Sequence, residues 1–203
     1  MIRIVRRSRL RELREASPLT GLPGNTRIRR EIARRIDGGA PFAVCYLDID
    51  RFKSVNDAYG FVRGDELILL LAAVLRVAVG RAPDAPKPAR DRAVFLGHVG
   101  GDDFVLICPP DRVKSLINGV IREFERRVPG LYDPEHAERG YLVSVDRRGV
   151  KHEWALATLS VGVATTEYRV FRDPAEVVAV ATEMKSVAKG EAGSHVAVDR
   201  RRL

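Results

Sequence analysis

Short continuous apolar runs alternate along this chain with longer stretches in which apolar residues recur every three or four positions. Phe42 to Leu47 is one such run. Its aromatic and β-branched content predicts a strand buried on both faces, and Asp48 falls at its carboxyl end, where open sheets place their ligands. Ala93–Val99 and Val105–Cys108 flank Gly100-Gly101-Asp102-Asp103-Phe104. Consecutive glycines between strand-like segments predict a tight hairpin centred on them, because a primed turn needs the positive φ that glycine adopts freely. Tyr141–Val145 and Trp154–Ala164, separated by the turn residues Asp146–Gly149, predict a second hairpin, and His195–Val198 a last strand.

The helical period appears at Ile28, Ile32, Ala33 and Ile36, with Asn25 or Thr26 as the cap and Gly38-Gly39 as the stop. Arg51–Ala58 reads as a short helical turn, Gly60–Gly64 as a break, and Asp65–Val79 as a helix rich in Leu and Ala. Asp111–Val128 is amphipathic through Val113, Leu116, Ile117, Val120, Ile121 and Phe124, and Pro174–Ala188 forms a further helix. Gly80–Asp91, with three prolines, reads as an exposed loop, and Pro129–Arg139 as irregular. Strand-like and helix-like runs alternate, so the expected class is mixed α and β.

At 203 residues the chain has room for one well-packed domain, and 45% hydrophobic content excludes a disordered one. No window reaches the ~18 uncharged apolar residues of a membrane span, and no apolar region follows the basic start, so a cytoplasmic protein is expected. Cys45 and Cys108 lie inside apolar strands, as buried free thiols do in a reducing compartment. The net charge of +8 is localised. Residues 1–35 hold eleven of the 35 basic and three of the 27 acidic side chains, which leaves 24 of each in the remainder. The basicity therefore belongs to an N-terminal arm whose first 16 residues read as a marginal linker helix, and nucleic acid is not the expected partner of the neutral body.

Two acidic pairs bear on chemistry: Asp48 and Asp50 at the end of one strand, and Asp102 and Asp103 beside the hairpin. Adjacent carboxylates repel, so their placement points to a cation. Magnesium takes one or two carboxylates and completes its shell with water and phosphate oxygens, which Asp48 and Asp102 satisfy if their strands are neighbours. The helix start at Asp50-Arg-Phe-Lys53 favours anions through its outward amides, with Lys53 as a supplementary charge. Asn56 and Asp65 carry groups that match the edge of a guanine base, although Asp65, just after Gly64, also suits a helix cap. Trp154 and Tyr46 are expected in the core. The histidines have no metal-binding spacing.

From Ser17 to Val198 the chain resembles the GGDEF domain, the catalytic domain of diguanylate cyclases. The resemblance rests on Pro18-Leu-Thr-Gly-Leu-Pro-Gly-Asn25, Asp48-Ile-Asp-Arg-Phe-Lys-Ser-Val-Asn-Asp57 with Gly60 and Gly64-Asp65, Gly100-Gly-Asp-Asp-Phe104, and Leu159-Ser-Val-Gly-Val-Ala164. It implies an α+β fold with a ferredoxin-like, palm-type sheet surrounded by helices, occupying residues 17–203. It further implies condensation of two GTP molecules to cyclic di-GMP across a homodimer, with release of pyrophosphate. Asp48, the Ile49 carbonyl and Asp102 would bind Mg²⁺ or Mn²⁺, and Asp103 would help activate the ribose 3′-hydroxyl. Phe52, Lys53 and Lys189 would hold phosphates, and Asn56 and Asp65 would read guanine. The arm resembles the end of a linker that couples an upstream sensor domain or partner to the cyclase. Several positions depart from the family pattern. Asp103 stands in place of glutamate, His98 where arginine is common, Phe61 where histidine is common, and no arginine follows Lys189. The inhibitory Arg-x-x-Asp motif is expected to be absent, since Asp91 and Val94 occupy its positions. The alternative reading is a degenerate domain that binds GTP and regulates a partner without turnover.

Overall fold

A computed structural model describes residues 15–80, 93–145 and 151–202. In chain order the elements are α1 (Asn25–Gly38), β1 (Ala43–Ile49), α2 (Phe52–Tyr59), α3 (Phe61–Gly80), β2 (Phe95–Gly100), β3 (Asp103–Cys108), α4 (Val113–Arg127), α5 (Pro134–Arg139), β4 (Tyr141–Val145), β5 (Lys151–Ala155), β6 (Leu159–Thr165), α6 (Pro174–Ala188) and β7 (His195–Val198). The main sheet has the order β2-β3-β1-β6-β7. Its first four strands are antiparallel neighbours, and β7 runs parallel to β6. With helices joining β1 to β2 and β3 to β6, this is the expected ferredoxin-like, palm-type α+β arrangement.

Every residue of β1 is buried, as its unbroken apolar run predicts. Its alternating side chains feed two layers. Ala43, Cys45, Leu47 and Ile49 pack with Leu67, Leu71 and Leu75 of α3 and Ile117, Val120 and Phe124 of α4. Val44 and Tyr46 pack with Ile28 and Ile32 of α1 and Val177, Val180 and Ala181 of α6. The same parity turns Asp48 toward the α6 layer, and in β3 it turns Asp103 there too, since Val105 and Ile107 belong to that layer.

Two glycines permit this packing. A Cβ on Gly162 would collide with the Ala181 carbonyl and the Lys185 amide, so α6 lies with its backbone directly against β6. Gly97 similarly admits the Ile28 side chain between α1 and β2. Arg35 is fully buried in the α1 layer. Its Nε donates to Glu31 at 2.7 Å and its Nη2 to the Ala93 carbonyl at 2.5 Å, which ties α1 to the start of β2.

The structure corrects several expectations. Gly24, not Asn25 or Thr26, is the N-cap of α1, and the Asn25 side chain donates instead to the Val99 carbonyl at 3.2 Å. The break between α2 and α3 is Gly60 alone, at φ 83°, so Gly64 lies inside α3 and Asp65 does not cap it. The hairpin turn is shifted by one residue. A bulge between His98 and Gly100 pairs Gly100 with Asp103, which leaves Gly101, at φ 57°, and Asp102 as the turn residues. Trp154–Ala164 is two elements: β5 pairs with β4 in a separate ribbon, while β6 enters the main sheet. Trp154 is 37% exposed on that ribbon, so it is not a core residue. Residues 129–139 contain a 3₁₀ turn and α5. The proposed linker helix, the loop after Gly80, the Asp146–Gly149 turn and Asp91 lie outside the described residues, apart from Glu15, Ala16 and Gly80.

Gly162→Ala is expected to destabilise the domain by about 3 kcal/mol, measured by urea unfolding, because the contact it disrupts is with rigid backbone. Glu31 generates a pH prediction. Burial acts to raise its carboxyl pKa, but hydrogen bonds and charges from Arg34 and Arg35 outweigh it and hold the group below its ordinary 4.5. Its stabilisation is then present above that value and lost as pH falls through the lower folded-state value. Glu31→Gln should flatten the acid side of the Tm–pH curve while lowering Tm at neutral pH.

Candidate active site

Strand parity and the length of α6 bring the acidic groups and two lysines together. Lys185 Nζ lies 3.1 Å from Asp48 Oδ2 and 2.5 Å from Asp103 Oδ1, bridging β1 and β3. One turn further along, Lys189 Nζ lies 2.7 Å from Asp48 Oδ1, although that oxygen has no well-aligned hydrogen bond. The Lys185 ammonium also stands 4.6 Å above the Tyr46 ring. Lys185 was not singled out in the sequence. Its signal was a cation on the buried stripe Val177, Ala181, Lys185, Ala188 of an otherwise apolar helix face.

Asp102, in the turn, sits close enough to feel both other carboxylates. Its pKa is raised by burial first, then by the charge of Asp48, with a smaller contribution from Asp103. Asp103 is raised as well, by burial first, with Asp48 adding to it and Lys185 opposing. Burial acts to lower the Lys185 pKa, but the hydrogen bond to Asp103 and the fields of Asp48 and Asp103 raise it. Beside burial, the mutual charges of the cluster act on all three groups. Three carboxylates face two ammonium groups, so the cluster has a surplus of negative charge that favours another cation. Among the described residues no group of three or more His, Cys, Asp or Glu side chains has metal-binding geometry. Asp48 and Asp102 are nevertheless hard oxygen donors of the kind a Mg²⁺ ion takes beside water and phosphate, with lysines now on both oxygens of Asp48.

Asp50 supports this site and does not join it. Its two oxygens accept from Thr158 Oγ1 at 2.8 Å and Ser160 Oγ at 2.6 Å, locking the end of β1 to β6. Arg51 follows at φ 61°, the one positive-φ non-glycine among the described residues, and Arg51 Nη1 donates to Thr158 Oγ1 at 3.2 Å. This turn starts α2 without a side-chain cap. The first intrahelical bond comes from Ser54 N to Arg51 O at 2.9 Å, so the amides of Phe52 and Lys53 precede it. The Lys53 side chain is exposed, and Ile49 is a buried core side chain paired with Leu159.

Asn56 packs against Gly64, the residue before Asp65. A Cβ on Gly64 would overlap Asn56 Oδ1 and lie 3.3 Å from Phe52 Cζ, so α2 and α3 close on each other there. Asn56 Oδ1 is buried with no hydrogen-bond partner, which leaves an acceptor to be satisfied. Asp65 is exposed on the next residue of α3.

Fold and site together define a palm-type domain with an acidic, lysine-flanked centre. Residues 17–138 match the family described as diguanylate cyclase, GGDEF domain. The chain belongs to that family. It is 33% identical over 102 residues to diguanylate cyclase DgcP of Pseudomonas aeruginosa, covering 48% of this chain and 14% of that protein. It is 38% identical over 93 residues to the bifunctional diguanylate cyclase/cyclic di-GMP phosphodiesterase MucR of the same organism, covering 44% and 12%. The matched segments are thus a small part of those relatives. Among solved structures, the GGDEF domain of DgcB from Caulobacter crescentus, determined in complex with c-di-GMP, has a TM-score of 0.61 at 22% identity over 91% of this chain and 95% of that one. The FimX GGDEF domain from Pseudomonas aeruginosa gives 0.63 at 17% identity over 91% and 99%. These two share the fold. Among the described residues, no helix is long and apolar enough to cross a membrane.

Gly64→Ala is expected to push the Asn56 amide aside and to destabilise the domain by about 1–3 kcal/mol, measured by urea unfolding, because α2 and α3 have no room for the added methyl group.

Proposed function

We propose that residues 17–203 form a diguanylate cyclase domain that condenses two GTP molecules into cyclic di-GMP as a Mg²⁺- or Mn²⁺-dependent homodimer in the cytoplasm. The observation that carries this reading is the convergence of Asp48, Asp102 and Asp103 at one end of the sheet beside Lys185 and Lys189. Asp48 and Asp102, with the Ile49 carbonyl, would hold the metal, which when bound neutralises phosphate charge and acidifies the attacking hydroxyl. The amides of Phe52 and Lys53, the Lys53 side chain and Lys189 would hold phosphates, and Asn56 and Asp65 would select guanine. In each half-reaction the 3′-oxygen bonds to the α-phosphorus of the other GTP, the α–β anhydride breaks, and pyrophosphate leaves. Asp103 would accept the hydroxyl proton.

A second reading, a GTP-binding domain that regulates a partner without turnover, is favoured by one contact. Asp103, a methylene shorter than glutamate, is engaged by Lys185 at 2.5 Å. A base displaced by ~1 Å loses about 100-fold in rate.

Purified protein at high concentration, incubated with GTP and Mg²⁺ or Mn²⁺, should yield cyclic di-GMP by chromatography. Asp102→Ala should abolish it, and Asp103→Glu should raise the rate at least tenfold. GTP binding without product in both the wild-type chain and Asp103→Glu leaves only the regulatory reading.

A further inference from the structure

His98 is 3% exposed, beneath the turn that carries Asp102. Its Nε2 lies 2.8 Å from the Gly101 carbonyl, and its Nδ1 lies 2.7 Å from Ser17 Oγ and 3.0 Å from Thr20 Oγ1. The ring stacks on Phe104, centroids 4.3 Å apart and planes 10° apart. The chemistry of these partners sets the tautomer. A carbonyl only accepts, so Nε2 carries a proton, and in the neutral ring the single Nδ1 lone pair is shared by the two hydroxyls. Thr20 Oγ1 also accepts from Leu22 N at 3.3 Å, which leaves its own proton for the ring.

We propose that His98 is a positioning residue for Asp102, fixing the Gly101-Asp102 turn to the entrance loop Ser17–Pro23 and so setting the geometry of the metal-binding carboxylate. The inference rests on the proposed role of Asp102. Among the described residues, strand pairing holds this turn by the Gly100–Asp103 pair at its base, beyond a bulge, so its placement depends on what holds the Gly101 carbonyl. The entrance loop is itself firmly held. His98 N donates to the Pro23 carbonyl at 2.9 Å, Ser17 N to Leu22 O at 2.8 Å, and Arg76 Nη2 to the Thr20 carbonyl at 2.5 Å. The imidazole thereby links the segment that follows the basic arm to the reacting end of the sheet. Displacement of Ser17 or Thr20 is transmitted to Asp102 through one ring.

The test uses His98→Phe, which keeps the stacked ring and removes all three hydrogen bonds, and His98→Gln, which restores a donor toward Gly101. Imidazole ¹⁵N shifts of the wild-type chain should report the Nε2–H tautomer, and the Nδ1–H form would overturn the proposal. Titrated Mn²⁺ should bind His98→Phe about tenfold more weakly, as loss of a group that orients a ligand does. GTP binding in EDTA should change less than twofold, and His98→Gln should recover most of the Mn²⁺ affinity. Ser17→Ala/Thr20→Val should weaken Mn²⁺ similarly and add little to His98→Phe. Unchanged Mn²⁺ affinity in His98→Phe, or an equal fall of both bindings, would sink the inference. A wild-type chain that binds no Mn²⁺ would count against the proposed function instead. In that case the ¹⁵N heteronuclear NOE of Gly101 and Asp102 decides: a drop in His98→Phe that His98→Gln reverses supports the link, and no drop refutes it.

Discussion

Helix α6 can approach β6 to backbone contact only because residue 162 has no side chain. The constraint propagates. With the helix seated there, Ala181 and Lys185 lie directly over the strand, and the Lys185 chain reaches between β1 and β3 to two carboxylates. A helix held further away by one methyl group would draw both Lys185 and Lys189 back from the buried Asp48 carboxylate, and an unpaired buried charge costs several kcal/mol. Sheet packing and site electrostatics are therefore one structural problem with a shared solution.

The acidic centre is balanced against itself. Burial and mutual repulsion raise Asp102 and Asp103, while the same negative surroundings raise the Lys185 ammonium. Lysine is a point charge on a flexible stem, so Lys185 and Lys189 offset these carboxylates without demanding a fixed geometry. Asp50 shows the contrasting condition. With its oxygens satisfied by the hydroxyls of Thr158, just before β6, and Ser160 within it, it holds the turn instead of a ligand.

Much of the architecture was legible from periodicity. The boundaries of α6 and β7 coincide with the sequence expectation, since Asp173 caps the helix through Ala175 N at 2.6 Å and the strand is an uninterrupted short run. Failures cluster where local signals compete. Gly64 looked like a break because glycine is a poor helix former, yet it serves the close approach of Asn56. Gly100-Gly101 looked like the turn, yet a bulge moved it by one residue and put Asp102 on the corner. Trp154 looked like core because it is large and apolar, and it lies on a peripheral ribbon instead.

The sequence by itself determined most of the element types, the burial of β1 on both faces, Asp48 at the end of that strand and the nearness of Asp102 and Asp103 to the hairpin, because side-chain alternation and turn chemistry are local properties. It also carried the motifs that placed the chain in its family. Only the tertiary structure decided that Lys185 joins those carboxylates, that Asn56 keeps an unpaired buried acceptor, and that His98 ties the Asp102 turn to Ser17 and Thr20. Each of these depends on the distance between elements far apart in the chain. That distance is set by packing volume, here the missing side chains of Gly162 and Gly64, and no local pattern encodes it.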